Sequence, residues 1–86
     1  MLRIYDNGGR SLDRYTCVYG KSYYQNGHKI YDAIGFSENP THSHGFYQHT
    51  SAQLGRHLGK IIKLSNLPES ARTVLEDELR EIGELE

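Results

Sequence analysis

Residues 23–36 read YYQNGHKIYDAIGF, and this stretch decides the kind of sheet that the rest of the chain must join. Asn26-Gly27 suits the two central positions of a tight hairpin turn, because both positions need positive φ angles. The flanking residues are rich in tyrosine and isoleucine, which favour β-strands. Alternation places Phe36 and two isoleucines on one face of the second strand, together with the charged Asp32. We therefore predict a hairpin with one mainly apolar face, on which Asp32 needs an edge position or a buried partner such as Arg14.

Two more strands are predicted before this hairpin. Residues 2–6 alternate apolar and polar groups, and residues 13–19 are rich in β-branched and aromatic side chains. Asn7-Gly8-Gly9 lies between them and predicts a turn, because these residue types tolerate positive φ angles. The strands of this part of the chain thus fall within residues 1–36.

The middle of the chain is predicted to be less regular. Residues 37–49 have no usable periodicity and predict an irregular loop. Residues 50–58 present Leu54 and Leu58 at a spacing of four, which indicates a short helix weakened by glycine. Residues 60–64 then predict a short strand.

The last element is a helix over residues 68–82. Pro68 suits the first helical turn, and Gly83 suits a helix C-terminus. One apolar stripe runs along the segment, formed by Ala71, Val74, Leu75, Leu79 and Ile82. The predicted fold class is therefore α+β, with a small, hairpin-rich antiparallel sheet of about four to five strands packed against a C-terminal helix.

Composition limits the number of domains, the compartment and the assembly that can be expected of the protein. We expect residues 1–86 to form a single domain, and a chain of this size has a thin stability margin. Cys17 is the only cysteine, so no intrachain disulfide can form and a reducing, cytoplasmic compartment fits best. A small domain without a disulfide can gain stability from a metal ion or from self-association, and self-association is the commoner of the two, so we predict a homo-oligomer. No membrane partner is expected, since no run of about 18 apolar residues and no signal peptide is present.

The net charge of −1 conceals an asymmetry along the chain. Residues 1–63 carry eight Lys/Arg against four acids, a balance of +4, and residues 64–86 carry two against seven, a balance of −5. All seven tyrosines lie in the basic part. Basic and aromatic groups together favour an anionic, ring-bearing partner such as a nucleotide. Nucleic acid as the main partner is disfavoured, because the excess is small and no helix is basic.

These observations give a first hypothesis, in which the protein sequesters a small anionic, nucleotide-like ligand without catalysis. Arg10 and Arg14 follow the Asn-Gly-Gly turn, whose amides could cradle a phosphate. Aromatic and imidazole groups that could contact the ring of the ligand lie in or next to the loop, namely His44, Phe46, Tyr47 and His49.

The histidines also support a metal hypothesis. His42, His44 and His49 could supply three imidazoles to one zinc ion, although their spacing matches no recognised zinc motif. We expect no cofactor, and keep zinc as the alternative. A further alternative is a small histidine- or metal-dependent phosphodiesterase, for example with His44, His49 and Lys60 as its acid–base groups.

Several phrases of the sequence together resemble a known group of proteins. They are Arg3-Ile4-Tyr5-Asp6-Asn7-Gly8-Gly9, Asp13-Arg14-Tyr15-Thr16, Ser37-Glu38-Asn39-Pro40, His44-Gly45-Phe46-Tyr47-Gln48-His49, Leu58-Gly59-Lys60 and Leu67-Pro68. The set resembles small uncharacterised proteins of bacteriophages and prophages over nearly the whole chain. The resemblance implies the cytoplasm of an infected bacterium and an accessory, counter-defence role by binding. It assigns no catalytic residue.

A second hypothesis of a different class rests on the acidic helix. The helix could act as a protein–protein inhibitor of a host defence complex, with its carboxylates imitating a nucleic acid. These carboxylates are Glu69, Glu76, Asp77, Glu78, Glu81 and Glu84.

Overall fold

Five antiparallel strands form one sheet, and one C-terminal helix packs on it. The computed structural model of the protein describes residues 1–85. The elements are β1 (Leu2–Asp6), β2 (Tyr15–Gln25), β3 (His28–Phe36), β4 (Tyr47–Ala52), β5 (Lys60–Ile62) and α1 (Glu69–Glu81). The strand order is β4-β3-β2-β1-β5. The predicted α+β fold class is confirmed.

Both predicted glycine turns are present. Asn26 and Gly27 have φ angles of 52° and 81° and join β2 to β3, while Gly8 and Gly9 have φ angles of 80° and 90° at the end of β1. Strand β2 is longer than the strand predicted over residues 13–19, because it continues through Gly20 into the first strand of the hairpin. Gly20 adopts a φ of 77°, and the register shifts between residues 19 and 23, as in a β-bulge.

The face of the sheet that carries α1 is here called the helix face. Its fully buried strand residues include Cys17, Ile34 and Phe36. They pack against the apolar stripe of the helix, of which Ala71, Leu75 and Leu79 are completely buried. The helix ends within one residue of its predicted bounds, and Gly83 follows it with a φ of 82°.

Residues 53–59 cross the opposite face of the sheet, and the helix predicted over residues 50–58 is wrong. Because β4 and β5 are the two edge strands, their connection must pass over three strands. The edge strands lie about 19 Å apart. Seven extended residues can span this distance, whereas seven helical residues cannot, because a helix rises only about 1.5 Å per residue. Leu54 and Leu58 both pack on the sheet, and helical structure is limited to one 3₁₀ turn at Arg56–Leu58.

The loop predicted over residues 37–49 is also shorter than expected, because residues 47–49 belong to β4. Strand β4 reads YQHTSA and is polar on both faces, so it gives no hydrophobic alternation. The last strand ends at Ile62 rather than at residue 64.

Asp32 is exposed on the helix face of β3, beyond the cover of the helix. Its Oδ1 accepts a hydrogen bond of 3.3 Å from the hydroxyl of Tyr23. The suggested pairing of Asp32 with Arg14 is wrong, because Arg14 binds other carboxylates.

Candidate functional site

Two loops meet at one end of the sheet and border an open cavity of about 310 Å³, here called the loop-end cavity. One is the β1–β2 loop after the Asn-Gly-Gly turn, and the other is the β3–β4 loop. Both loops were singled out in the sequence. The cavity is lined by Gly9, Ser11, Leu12, Arg14, Ser37, Glu38, Asn39, His42, His44 and Gly45.

Arg14 is the central charged group of this cavity, and its charge is already matched by two carboxylates. Its Nε and Nη2 donate to the two oxygens of Asp6 at 2.8 and 3.2 Å, and its Nη1 donates to Glu38. The hydrogen bond from Arg14 holds the pKa of Asp6 below its usual value, and the bonds to Asp6 and Glu38 raise the pKa of the guanidinium. An incoming anion would therefore have to displace Glu38.

The amides of the Asn-Gly-Gly turn are also occupied. The N–H of Gly8 donates to Oδ1 of Asp6 at 2.8 Å, and the N–H groups of Gly9 and Arg10 donate to Oδ1 of Asn7 at 2.9 and 3.0 Å. The Nε of Arg10 donates to the carbonyl of Asn7 at 3.2 Å. The chain's own side chains thus fill the positions that the sequence suggested for a phosphate.

The three candidate zinc ligands do not form one group. His42 and His44 lie together, with ring centroids 5.6 Å apart and with the N–H of His44 donating to Nδ1 of His42 at 3.1 Å. His49 instead lies on β4 and contacts the helix. Across residues 1–85, no group of three His, Cys, Asp or Glu side chains is arranged to hold a metal ion.

The suggested phosphodiesterase trio is not assembled either. His49 lies on β4 and Lys60 on β5, and these are the two edges of the sheet, about 19 Å apart. Acid–base groups must lie within hydrogen-bond reach of a common substrate, so His44, His49 and Lys60 cannot act on one phosphodiester in this arrangement.

A second polar cluster joins β4 to α1, and consists of Tyr47, His49 and Glu78. The hydroxyl of Tyr47 donates to Oε1 of Glu78 at 2.7 Å, and Nε2 of His49 lies 3.1 Å from the same oxygen. The two rings meet edge to face at 5.7 Å. Burial and then the bond to Glu78 raise the pKa of Tyr47, while the bonds from Tyr47 and His49 lower the pKa of Glu78.

Two adjoining cavities of about 400 and 480 Å³ lie along α1 and share Val74, and together they are here called the acidic groove. The first is lined by Tyr47, Val74, Asp77, Glu78 and Glu81, and the second by Thr41, Glu69, Ser70, Thr73 and Val74. Four of the six acids named from the sequence therefore line one groove. Of the other two, Glu76 lies near Arg72 and Arg80, at 3.7 and 3.8 Å.

The predicted ligand-binding residues are thus divided between the loop-end cavity and the acidic groove. Arg14 and His44 line the loop-end cavity, whereas Tyr47 and His49 lie at the acidic groove. Phe46 is half-buried, and its backbone closes the β3–β4 loop through Ser37.

The bond between β4 and Glu78 was missed in the sequence, although a signal for it exists. Glu78 follows the buried Leu75 by three residues, so it borders the apolar stripe, next to the sheet. An acid at such a border position favours a donor from the sheet, because a partly buried carboxylate without a partner is costly.

Comparison of the chain with protein-family models, curated proteins and solved structures finds no match. The resemblance to bacteriophage proteins stays a prediction. No helix within residues 1–85 has the length and apolar character needed to cross a membrane.

Proposed function

We propose that the protein is a non-catalytic module that binds another protein through the acidic groove. The observation that carries this proposal is the concentration of Glu69, Asp77, Glu78 and Glu81 around Val74, beside an edge strand. Such a surface combines negative charge with a small apolar centre. In the setting that the sequence resemblance implies, the partner would be a protein of the bacterial host.

The charge of the groove is only partly balanced by the protein itself. Within the described chain, Glu69 and Glu81 have no ion-pair partner, and Asp77 has only Arg80, at 3.5 Å. Each exposed pair with a basic partner contributes only about 0.2–1 kcal/mol, but a patch of one sign accelerates association and excludes acidic partners. The groove therefore favours a partner that presents Lys or Arg.

Charge reversal within the groove tests this function. Glu81→Lys changes an exposed groove acid, and Glu84→Lys makes the same charge change at a partly exposed site that lines neither groove cavity and lies near Gly20 of β2. We expect immobilised wild-type protein and Glu84→Lys to retain the same protein from a bacterial extract at about 0.1 M salt, and Glu81→Lys to lose it. If all three retain identical proteins, or none retains any, the proposal is wrong.

A second candidate function is the binding of a small anionic ligand in the loop-end cavity. It is favoured by the meeting of both predicted loops around Arg14, and it is opposed by Glu38, which occupies the guanidinium. Calorimetry with cyclic and linear nucleotides tests this candidate function. If it is correct, Glu38→Gln should bind the nucleotide more tightly than the wild type does, since the substitution removes the carboxylate that competes for Arg14. Absence of heat with both proteins eliminates it.

A further inference from the structure

Strand β4 is an edge of the sheet, and within residues 1–85 no strand pairs with its outer backbone groups. Just beyond the β3–β4 ladder, Ser37 donates its N–H to the carbonyl of Phe46 at 3.0 Å, and the N–H of Phe46 donates to Oγ of Ser37 at 2.9 Å, so this pair occupies a hydrogen-bonded position. Hydrogen-bonded and non-hydrogen-bonded pairs alternate along an antiparallel ladder. It follows that Tyr47, His49 and Ser51 direct their N–H and C=O groups away from β3.

The two edges of the sheet differ in how well they are protected. Natural edge strands avoid unwanted pairing by being short, by carrying lysine or proline, or by bulging. Strand β5 has only three residues, begins at Lys60 and is followed by Lys63. Strand β4 has six residues, with no lysine, proline or glycine, and its ladder with β3 has no register shift. Only β5 therefore carries protection against strand addition.

The part of the acidic groove that Tyr47 lines adjoins this open edge. A strand added next to β4 would direct alternate side chains to the helix face, where Asp77, Glu78 and Glu81 stand around Val74. Its other side chains would continue the opposite face of the sheet. Main-chain hydrogen bonds would supply affinity, and the groove would select the side chains at every second position.

We propose that β4 accepts an extended segment of a partner protein as a sixth strand, and that this segment carries Lys or Arg at alternate positions. The inference deepens the proposed function, on which it rests, by naming how the partner binds. The outward N–H and C=O groups of Tyr47, His49 and Ser51 set the length of the contact at about five to six residues. One of these acceptors, the carbonyl of Ser51, also accepts a bond of 3.5 Å from Oγ1 of Thr50, which an added strand would replace.

A second copy of the chain is a poorer occupant of the same edge. Two-fold pairing of β4 with itself would place two acidic grooves next to each other. Asp77, Glu78 and Glu81 of each copy would then face one another across the joint. Like charges so placed oppose association. The charge of the groove thus distinguishes a foreign basic strand from self-association.

Amide hydrogen exchange followed by NMR tests the proposal on the whole chain. The probe is a capped ten-residue peptide in which lysine and threonine alternate. In the free protein, the N–H groups of Gln48 and Thr50 should be protected by β3, whereas those of Tyr47, His49 and Ser51 should exchange freely. The peptide should slow exchange at the latter three by about tenfold or more, which corresponds to about 1.4 kcal/mol.

Two control peptides separate strand addition from simple charge attraction. A glutamate–threonine peptide should give no protection, because the groove repels it. The lysine peptide with alternate backbone amides methylated keeps its charge but cannot complete the ladder, so it too should give none. No gain of protection with the unmodified lysine peptide, or equal binding of the methylated one, overturns strand addition. Protection that rises with protein concentration alone also overturns it, since the occupant is then a second copy.

A protein variant distinguishes this inference from the proposed function. Ser51→Pro removes one outward donor without removing a bond to β3, and proline is tolerated at such edge positions. Circular dichroism and the unfolding midpoint establish that the variant is folded. Loss of the captured partner with both Ser51→Pro and Glu81→Lys supports strand addition. Loss with Glu81→Lys alone leaves the acidic groove as the binding surface and refutes strand addition.

Discussion

Replacement of Tyr47 by phenylalanine should lower the free energy of unfolding by about 1–2 kcal/mol. The change keeps the ring and removes only the hydroxyl that donates to Glu78 at 2.7 Å. A hydrogen bond to a charged group contributes about 1.5–3 kcal/mol net. The Glu78 side chain is 23% exposed, so water replaces part of the lost bond and the lower end of this range applies.

The penalty should also depend on pH. The bond from Tyr47 is the largest cause of the lowered pKa of Glu78, whose ordinary value is 4.5. Because the folded pKa lies below the unfolded one, this stabilisation is complete above about pH 4.5 and is lost as the pH falls through the folded pKa. The difference between wild type and Tyr47→Phe should therefore shrink between about pH 7 and pH 3.

Urea unfolding at both pH values measures these effects. With a slope of about 1 kcal/mol per molar urea, the midpoint of Tyr47→Phe should fall by about 1–2 M at neutral pH. Tyr24→Phe is the matched control, since Tyr24 is 73% exposed. It should change the stability by less than about 0.5 kcal/mol. Equal effects of the two substitutions, or a Tyr47→Phe penalty that is the same at both pH values, would refute the reasoning.

Three further predictions concern the fold. Gly59→Ala should lower the free energy of unfolding, measured in urea, by more than about 3 kcal/mol, because φ is +95° and an added Cβ would lie 2.0 Å from a carbonyl oxygen of β1. Gly27→Ala is the control: its φ is +81° but its surroundings are open, so it should cost about 1 kcal/mol. Leu75→Ala should lower the free energy of unfolding by about 2–5 kcal/mol, because Leu75 is fully buried. Ile61→Ala should lower it by less than about 0.5 kcal/mol, because Ile61 is 60% exposed, and equal losses for the two variants would contradict the assigned core. Cys17 should react with thiol reagents only on unfolding, because the thiol is fully buried and burial raises its pKa to about 12; rapid labelling in native buffer would disprove this.

The parts of the fold that could be predicted are those fixed by local chemistry. Asn26-Gly27 can form its turn with positive φ at both residues wherever the hairpin lies, and the structure shows this turn. The apolar stripe of α1 needs only a sheet to pack on, and Leu75 and Leu79 are fully buried on it. Such features depend on residues within one turn or one hairpin, so a single sequence reports them.

The parts that could not be predicted depend on topology. Leu54 and Leu58 have helical spacing, but both residues pack on the sheet because the connection between the edge strands must extend across it. Strand β4 is defined by pairing with β3 rather than by its own alternation. The candidate site follows the same division. Of the residues that the sequence hypothesis assigned to one ligand, Arg14 and His44 line the same cavity, whereas the two carboxylates that occupy Arg14 were not predicted.

The contacts that hold β4 in place also explain how its outer edge can stay open. An edge strand with one ladder and little apolar burial tends to open locally, and its outward groups would then be poorly aligned for a partner. Tyr47 and His49 fix β4 to Glu78 of the helix, and Ala52 packs with the crossing segment on the opposite face. Both contacts act through side chains and do not use the outer backbone groups. An ordered strand costs less to extend than a mobile one, since its conformational entropy is already lost before the partner arrives. The cluster at Glu78 therefore connects the stability of β4 to its proposed binding, and weakening the cluster should weaken both.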